Sequence, residues 1–294
     1  MSHDPAASGP GPEDGPENST CTVHAPVRRT SAFVFASPHS GRQYAPEALA
    51  RAQLPLSVLR QSEDAYVDQL FASVPGHGAP LVEALFPRVF VDVNRAEWEL
   101  DPDMFDPAPA STRAVSARAA AGLGVIPRAA ADGRPLYAGR LALTEAETRL
   151  AQCYRPYHAA LKAELAAAKA AFGEAFLIDC HSMPAASARG ADIVLGDRYG
   201  AACSRAFIAA AEAQFRALGF TVVRNRPYAG GYTTEHYGRP ARGVHAVQIE
   251  INRALYLDER TVTPNAHMPA LAAALSRWIE QMDMHTLSAP RAAE

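Results

Sequence analysis

The sequence predicts an α/β fold in which helices flank a largely parallel or mixed central sheet. Short apolar runs of strand type alternate with longer segments of helical character, an alternation typical of sheets built from crossover connections. The chain has 294 residues, of which 48% are hydrophobic and 20% are charged, so it can bury a large core. We expect a single α/β domain over residues 26–294.

Five apolar runs are predicted to form the strands. They are rich in Val, Ile, Phe and Ala, and polar or turn-forming residues bound each of them. The runs cover residues 31–40, 88–95, 175–182, 220–228 and 245–253.

Five longer segments are predicted to be helical. The third has the clearest end signals, because Thr144 precedes Glu147 by the three residues of a capping box and Gly173 follows as a stop signal. The helices cover Ala45 to Leu54, Asp64 to Val74, Thr144 to Phe172, Ser204 to Leu218 and Thr263 to His285.

Two stretches show no sustained period. Residues 1–25 begin with a segment rich in Pro, Gly, Ser and acidic residues, and have no apolar core of a signal peptide, so we predict a disordered tail. Residues 96–135 mix Pro, Ala, Gly and Arg, and form either a functional loop beside the sheet or a partly disordered insertion.

The charge balance excludes several classes of partner. Lys and Arg number 28 against 31 Asp and Glu, which gives a net charge of -3 and no basic field for nucleic acid or an anionic membrane. The four cysteines stand far apart without a Cys-x-x-Cys pair, as is usual in a reducing compartment. No run approaches the roughly 18 to 20 apolar residues of a membrane helix. We therefore expect a soluble, cytoplasmic protein with a small-molecule partner.

Polar residues end four of the five predicted strands. In open α/β sheets the ligand site lies beyond the carboxyl ends of the strands, so these endings should converge on one crevice. They are PHSG at 38–41, DVNR at 92–95, DCHS at 179–182 and EINR at 250–253.

Two of these strand ends carry a histidine. His39 and His181 can each offer a neutral imidazole to zinc, and a catalytic zinc site usually takes three protein ligands and one water. Asp64 is the candidate third ligand, with Glu63 as the alternative. Asp179 is suited to orienting an imidazole from behind. The competing interpretation is that each histidine is a hydrogen-bonded structural residue.

Glu250 is a lone acid in the apolar run AVQIEIN. Burial would raise its pKa and make it a candidate general base for hydrolysis. The alternative is a structural carboxylate paired with a neighbouring arginine.

Two arginines at strand ends follow an asparagine. Arg95 after Asn94, and Arg253 after Asn252, present a planar guanidinium that can bind a substrate carboxylate with two parallel hydrogen bonds. Either arginine could instead pair with a nearby aspartate, Asp92 or Asp258. A glycine- and tyrosine-containing segment at 225–233 adds candidate substrate-binding residues: Asn225, Tyr228, Gly231 and Tyr232.

Five motifs in this order carry a family resemblance. They are PHSG at 38–41, DVNR at 92–95, DCHS at 179–182, NRPYAGGYT at 225–233 and QIEINR at 248–253. Over about residues 33–256 the chain resembles the N-formylglutamate amidohydrolase family. That family is related in fold to the zinc carboxypeptidases and aspartoacylases, which implies a zinc-carboxypeptidase-like (phosphorylase/hydrolase-like) mixed sheet.

The resemblance implies a metal site with two histidine ligands, His39 and His181, Asp64 as the acidic ligand, and Glu250 as the base. It also implies that Asn94 and Arg95 bind a substrate carboxylate. The family's relatives often take the acidic ligand three residues after the first histidine, where this chain has Arg42.

The implied activity is hydrolysis of N-formyl-L-glutamate to formate and L-glutamate, with Zn²⁺ or another divalent metal, in histidine degradation. The alternatives are a deacylase or carboxypeptidase-like hydrolase of another N-acyl amino acid or short peptide, and a non-catalytic small-molecule binding protein.

Overall fold

A mixed seven-stranded sheet forms the centre of the protein, which a computed structural model describes over residues 19–110 and 114–288. The strands in chain order are β1 (Cys21–His24), β2 (Phe33–Ser37), β3 (Leu81–Ala84), β4 (Phe105–Asp106), β5 (Leu141–Ala142), β6 (Ala175–Met183), β7 (Ile193–Gly196), β8 (Val222–Arg224), β9 (Val244–Asn252), β10 (Leu257–Asp258) and β11 (Thr263–Pro264). The sheet order is β1-β3-β2-β6-β9-β7-β8, and β4 with β5 and β10 with β11 form separate pairs.

The two longest strands, β6 and β9, lie at the middle of the sheet and run parallel. Strand β6 is buried along its whole length, as is usual for a strand covered on both faces. Its register with β9 places His181 opposite Glu250. Strand β2 is parallel to β6 on the other side, whereas β1 and β7 run antiparallel to their neighbours β3 and β9.

Helices cover both faces of this sheet. They are α1 (Pro46–Arg51), α2 (Leu56–Leu59), α3 (Val67–Leu70), α4 (Ala117–Ala120), α5 (Leu143–Arg149), α6 (Arg155–Phe172), α7 (Ala185–Ala188), α8 (Arg205–Ala217), α9 (Tyr232–Tyr237) and α10 (Met268–Ser288). A π-helical segment, Leu150–Tyr154, joins α5 to α6 without a break. Among the described residues, no helix combines the length and the apolar character that a membrane crossing requires.

Alternate residues of β2 enter two different cores, because successive side chains of a strand point to opposite faces. Phe33 and Phe35 pack with α3, α8 and α10, where Trp278 stacks on Phe215 with ring centroids 4.5 Å apart. Val34 and Ala36 pack on the opposite face with α5 and α6. The sheet is therefore held rigidly between two apolar layers.

The predicted fold class is confirmed, and four of the five predicted runs contain strands of the sheet: β2, β6, β8 and β9. The prediction for residues 88–95 was wrong, because this run forms turns. The Asp92 side chain accepts a hydrogen bond from the Asn94 N–H at 2.9 Å, a local bond that competes with strand pairing. The sequence interpretation missed β1, β3 and β7, each only four residues long.

Each of the five predicted helical segments contains an α-helix with altered ends, and in Asp64 to Val74 only Val67–Leu70 is α-helical. The capping box at Thr144 was wrong, since α5 starts at Leu143 and its N-cap, Ala142, has no side-chain bond. Gly173 does end the helix, with a φ of 83°. The last helix starts at Met268 rather than Thr263, because Thr263–Pro264 pair with β10.

Part of the predicted disordered tail is ordered. Residues 1–18 lie outside the described residues, but Cys21–His24 form the edge strand β1 and pair with β3. The 96–135 excursion contains the short strand β4 and the helix α4, and residues 111–113 within it lie outside the described part of the chain.

Candidate active site

A cavity of about 670 Å³ opens at the carboxyl ends of β2, β6 and β9. Its lining includes nine of the eleven residues that the sequence proposed for the site: His39, Asp64, Asn94, Arg95, His181, Tyr228, Gly231, Glu250 and Arg253. Because β2, β6 and β9 run parallel, residues more than 200 positions apart reach the same edge of the sheet.

The two histidines and Asp64 form a compact buried cluster. Oδ2 of Asp64 lies 3.3 Å from Nδ1 of His39 and 3.0 Å from Nδ1 of His181. One donor atom from each residue lies within 4.8 Å of the other two. Two imidazole nitrogens and one carboxylate oxygen are a donor set that suits Zn²⁺.

A second layer of carboxylates fixes the orientation of both imidazoles. Nε2 of His39 donates to Oδ1 of Asp92 at 2.7 Å. Nε2 of His181 lies 3.1 Å from Oδ2 of the buried Asp179, a close charge contact. With a proton kept on each Nε2, loss of the Nδ1 proton that bonds to Asp64 would free the Nδ1 lone pair for a cation, as in the carboxylate–histidine pairs of metal sites. The residues present therefore fit a metal ion.

Asp64 is held as an anion. Burial favours its neutral form, but hydrogen bonds from His181 and His39 and the charge of Arg88 outweigh that effect and hold the pKa of Asp64 well below its usual range. Its second oxygen accepts from Nη2 of Arg253 at 2.9 Å. The Asp64 N–H also donates to the His39 carbonyl at 3.0 Å, which connects the two segments that carry these residues.

The alternative acidic ligand, Glu63, faces a different environment. It accepts from the Tyr44 hydroxyl at 2.9 Å and pairs with Nε of Arg60 at 3.3 Å. The position three residues after His39 is filled by Arg42, which pairs with Asp68. Of the candidate acids, the structure brings Asp64 beside the two histidines.

Glu250 lies on β9 beside this cluster, in the same cavity. Burial raises the pKa of Glu250 to about 7, and the negative charge of Asp64 adds to the rise, while His181 and Arg88 oppose it. Its Oε1 accepts from Nε2 of Gln248 at 2.7 Å, so its hydrogen-bond partner is an amide. A carboxyl group with a pKa near neutrality can both take up and return a proton.

The two predicted arginines take different partners. Nε of Arg95 donates to the Leu123 carbonyl at 2.9 Å and Nη1 to the Asn94 carbonyl at 2.7 Å, with Asp92 3.6 Å from Nη2. Arg253 pairs with Asp64 rather than with Asp258. Both guanidinium groups still line the cavity.

The sequence interpretation missed Arg88 and Gln248. Arg88 lines the cavity between two acids, 3.0 Å from Asp92 and 3.8 Å from Asp64. It stands at the start of a run that the sequence assigned to a strand, so it was not considered a strand-end residue. Gln248 precedes Glu250 by two positions and thus shares its face of β9. The two-residue alternation of a strand could therefore have identified Gln248 from the sequence.

Gly231 packs closely against the Asn94 side chain. A Cβ at this position would overlap the Asn94 amide, so glycine is required there. The Gly231 N–H donates to Oε1 of Gln248 at 2.7 Å. Gln248 therefore links the 225–233 segment to Glu250.

Two predicted substrate-binding residues do not line the cavity. Asn225 donates to Asp197 Oδ1 at 2.7 Å and accepts from the Asp197 N–H at 3.0 Å. Tyr232 is half-buried against one of the apolar cores, and its hydroxyl lies 3.1 Å from Nδ1 of the exposed His236. Helix α9 begins at Tyr232. The contacts of these two residues are thus with other parts of the protein, outside the cavity lining.

Comparison with known proteins gives consistent matches. The family model for N-formylglutamate amidohydrolase matches residues 31–257. The N-formylglutamate deformylase of Pseudomonas aeruginosa is 32% identical over 258 residues, which is 85% of this chain and 90% of that protein. That of Pseudomonas putida is 32% identical over 204 residues, or 67% and 71% of the two chains.

Two crystal structures resemble this one. That of N-formylglutamate amidohydrolase from Ralstonia eutropha JMP134 has a TM-score of 0.86 at 33% identity, and the match covers 91% of this chain and 98% of that chain. A gene product of Agrobacterium tumefaciens shares the fold, with a TM-score of 0.64 at 18% identity over 92% of this chain and 95% of that chain. The chain therefore belongs to the N-formylglutamate amidohydrolase family.

Proposed function

We propose that this protein is a metal-dependent amidohydrolase that cleaves N-formyl-L-glutamate to formate and L-glutamate. The observation that carries the proposal is the buried His39–Asp64–His181 donor set, with Glu250 in the same cavity. The substrate is the one named for relatives that are 32% identical to this chain.

Nδ1 of His39, Nδ1 of His181 and Oδ2 of Asp64 would hold the metal, for which Zn²⁺ is the first candidate. When bound, such a cation polarises the scissile carbonyl and acidifies water. Because Asp92 and Asp179 orient the two imidazoles, the donor atoms are arranged before the metal binds.

Glu250 is placed to move the proton. It accepts a proton from the attacking water and passes it to the amide nitrogen as the bond from the formyl carbon to that nitrogen breaks. A pKa of about 7 suits both transfers near neutral pH. Gln248 holds the carboxylate at 2.7 Å, and the Arg88 guanidinium can stabilise the negative charge that develops on the carbonyl oxygen.

The charge of the cavity fits an acidic substrate. Three acids line it, namely Asp64, Asp92 and Glu250, against the five arginines Arg88, Arg95, Arg118, Arg198 and Arg253. This positive excess lies within a chain of net charge -3. Asn94 and Arg95 are the proposed site for the substrate's α-carboxylate, which a guanidinium can bind bidentately. The four free thiols are consistent with a reducing compartment such as the cytoplasm.

The test is to measure formate release by the purified, metal-analysed protein. We expect about one divalent metal per chain, and turnover of N-formyl-L-glutamate that is lost on chelation and restored by Zn²⁺. A panel of N-acetyl, N-succinyl and peptide substrates tests the alternative deacylase and carboxypeptidase-like functions. Preferential cleavage of any of these would show that N-formyl-L-glutamate is not the preferred substrate. Binding without turnover in the metal-loaded protein would indicate a binding protein instead.

A further inference from the structure

The turn that follows β7 has an unusual backbone. Arg198 and Tyr199 have φ values of 55° and 58°, and Gly200 follows with 87°. The left-handed region is uncommon for residues with a side chain, and two such residues in succession are conformationally costly. Strained backbone of this kind persists where the surrounding structure holds it, often at ligand-binding sites.

The surrounding structure does hold this turn. Oδ1 of Asn225 accepts hydrogen bonds from two backbone N–H groups of the turn, Asp197 at 3.0 Å and Tyr199 at 3.4 Å. Nδ2 of Asn225 donates to Oδ1 of Asp197 at 2.7 Å. The Arg198 N–H donates to the Ala229 carbonyl at 2.8 Å. The 225–231 segment therefore acts as the support of the turn.

What the turn presents to the cavity is an arginine and a tyrosine. Arg198 and Tyr199 both line the cavity, and Tyr199 is 74% exposed. The Arg198 guanidinium donates to the Gly230 carbonyl at 3.3 Å and pairs with Glu235, whose side chain is 62% exposed. The Gly230 carbonyl is a backbone group and stays in place. The Glu235 carboxylate is exposed to solvent, so the carboxylate of a ligand can displace it from the guanidinium.

Three of the other four arginines that line the cavity already have partners, and the fourth, Arg118, is tested by its own variant below. Arg88 and Arg253 pair with Asp64 and Asp92, and Arg95 donates to two backbone carbonyls. Arg198 contacts neither Asp64 nor Asp92 in the described structure. It is also close to the proposed α-carboxylate site, because Gly230, which it contacts, precedes Gly231, which packs on Asn94.

We infer that Arg198 is the specificity residue that binds the side-chain carboxylate of the substrate, with Tyr199 covering it. This inference rests on the proposed function, because it concerns which N-formyl amino acid that site prefers. The carboxylate of the substrate takes the place of Glu235 on the guanidinium. The preference for an acidic side chain thus comes from the turn after β7, which Asn225 supports.

The experiment compares two substrates that differ in one group, N-formyl-L-glutamate and N-formyl-L-glutamine. We expect the wild type to prefer the acid by about 10- to 100-fold in kcat/KM, the range for a charge-assisted hydrogen bond. Arg198→Gln should remove most of that preference through a higher KM for the acid, and leave the amide within about twofold. Arg198→Lys keeps the charge but not the planar fork, so it should restore part of the preference.

Two further variants separate the alternatives. Arg226→Gln removes an exposed arginine of the same segment that does not line the cavity, so it should leave the preference unchanged. Arg118→Gln removes the arginine of the 96–135 excursion that lines the cavity. Loss of the preference in Arg118→Gln but not in Arg198→Gln would assign the carboxylate to Arg118 and overturn the inference.

Equal losses on both substrates in Arg198→Gln, at an unchanged melting temperature, would also overturn it. Equal hydrolysis of N-formyl-L-glutamate and N-formyl-L-glutamine by the wild type would overturn the inference as well, but it would leave the proposed amidohydrolase activity in place. A wild type that releases formate from neither substrate contradicts the proposed function itself, and the inference with it. Calorimetric binding of L-glutamate and L-glutamine gives an independent readout, in which Arg198→Gln should weaken only the former.

Discussion

At the scale of single residues, the two nitrogens of each imidazole have different neighbours. In His39 and His181, Nε2 faces a buried carboxylate while Nδ1 faces Asp64. The sequence could place both histidines and Asp64 near one another from their positions at two strand ends and a predicted helix start. It could not give the nitrogen assignment of His39, because that depends on Asp92, which lies in a turn rather than on a strand.

Changing Glu250 to glutamine should slow catalysis without removing the metal. The amide oxygen can still accept from Gln248, but it cannot take a proton from water. We expect kcat to fall about 10²- to 10⁴-fold, the usual effect of losing a general base. Formate release and metal content should be measured on the same preparation. Near-normal turnover in the metallated variant would make Glu250 a structural carboxylate.

The conservative change Arg95→Lys should impair substrate binding. Lysine keeps the charge but cannot reproduce a bidentate contact with the α-carboxylate. We expect a loss of about 1.5 to 3 kcal/mol in kcat/KM on N-formyl-L-glutamate. The loss should be much smaller on 4-formamidobutyrate, which lacks that carboxylate. Equal losses would mean that Arg95 acts on the loop, through its bonds to Asn94 and Leu123, and not on the substrate.

At the scale of elements, one long helix positions the loop that carries Asp92 and Asn94. The Tyr154 hydroxyl, at the end of the π-helical segment, donates to the Arg95 carbonyl at 2.9 Å. Nε2 of His158, on α6, donates to the Val93 carbonyl at 2.9 Å. The helical period predicted this helix, but the loop it holds was interpreted as a strand. Local apolar content cannot separate a strand from a buried turn.

The same histidine should make stability depend on pH. Burial lowers the pKa of His158 to about 4, against an ordinary value of about 6.5. Below pH 6.5 the unfolded chain therefore binds a proton that the folded protein does not. The free energy of unfolding should fall by about 3 kcal/mol from this group as the pH drops from 6.5 to 4.

Denaturant unfolding of wild type and His158→Gln at pH 7 and pH 4 measures this contribution. The variant should lose less stability on acidification, because it has no imidazole to protonate in the unfolded state. Equal losses in the two proteins would show that other groups cause the acid sensitivity.

At the scale of the whole molecule, the site depends on strand order and register. The apolar runs predicted a mixed sheet with a site at the strand ends; the mixed sheet is confirmed, and a cavity lies at the ends of its strands. The pairing of His181 with Glu250 across β6 and β9 joins residues 69 positions apart, and no local pattern fixes such a register. The contact of Asn225 with Asp197 was not predicted for the same reason, since Asp197 follows the short strand β7, which the sequence did not reveal.

Metal binding should stabilise the fold as a whole, because a ligand that binds only the native state adds to its stability. At free Zn²⁺ 100 times above Kd the gain is about 2.7 kcal/mol. We expect chelation to lower the melting temperature of the wild type and to leave His39→Ala and His181→Ala unaffected. His77→Ala, which alters a histidine bonded to Ser276 outside the cavity, should respond like the wild type. A chelation response retained in both ligand variants would place the metal elsewhere.

Strand β1 limits how far the protein can be truncated at its N-terminus. It is the edge strand of the sheet and pairs antiparallel with β3, so its removal would move the open edge to β3, whose Leu81, Val82 and Ala84 are buried apolar residues. Exposed edges of this kind pair with other molecules. A protein beginning at residue 26 should therefore self-associate, whereas one beginning at residue 19 should stay monodisperse to the same extent as the full chain. Light scattering of the two truncated proteins distinguishes them, and equal behaviour would mean that another segment protects β3.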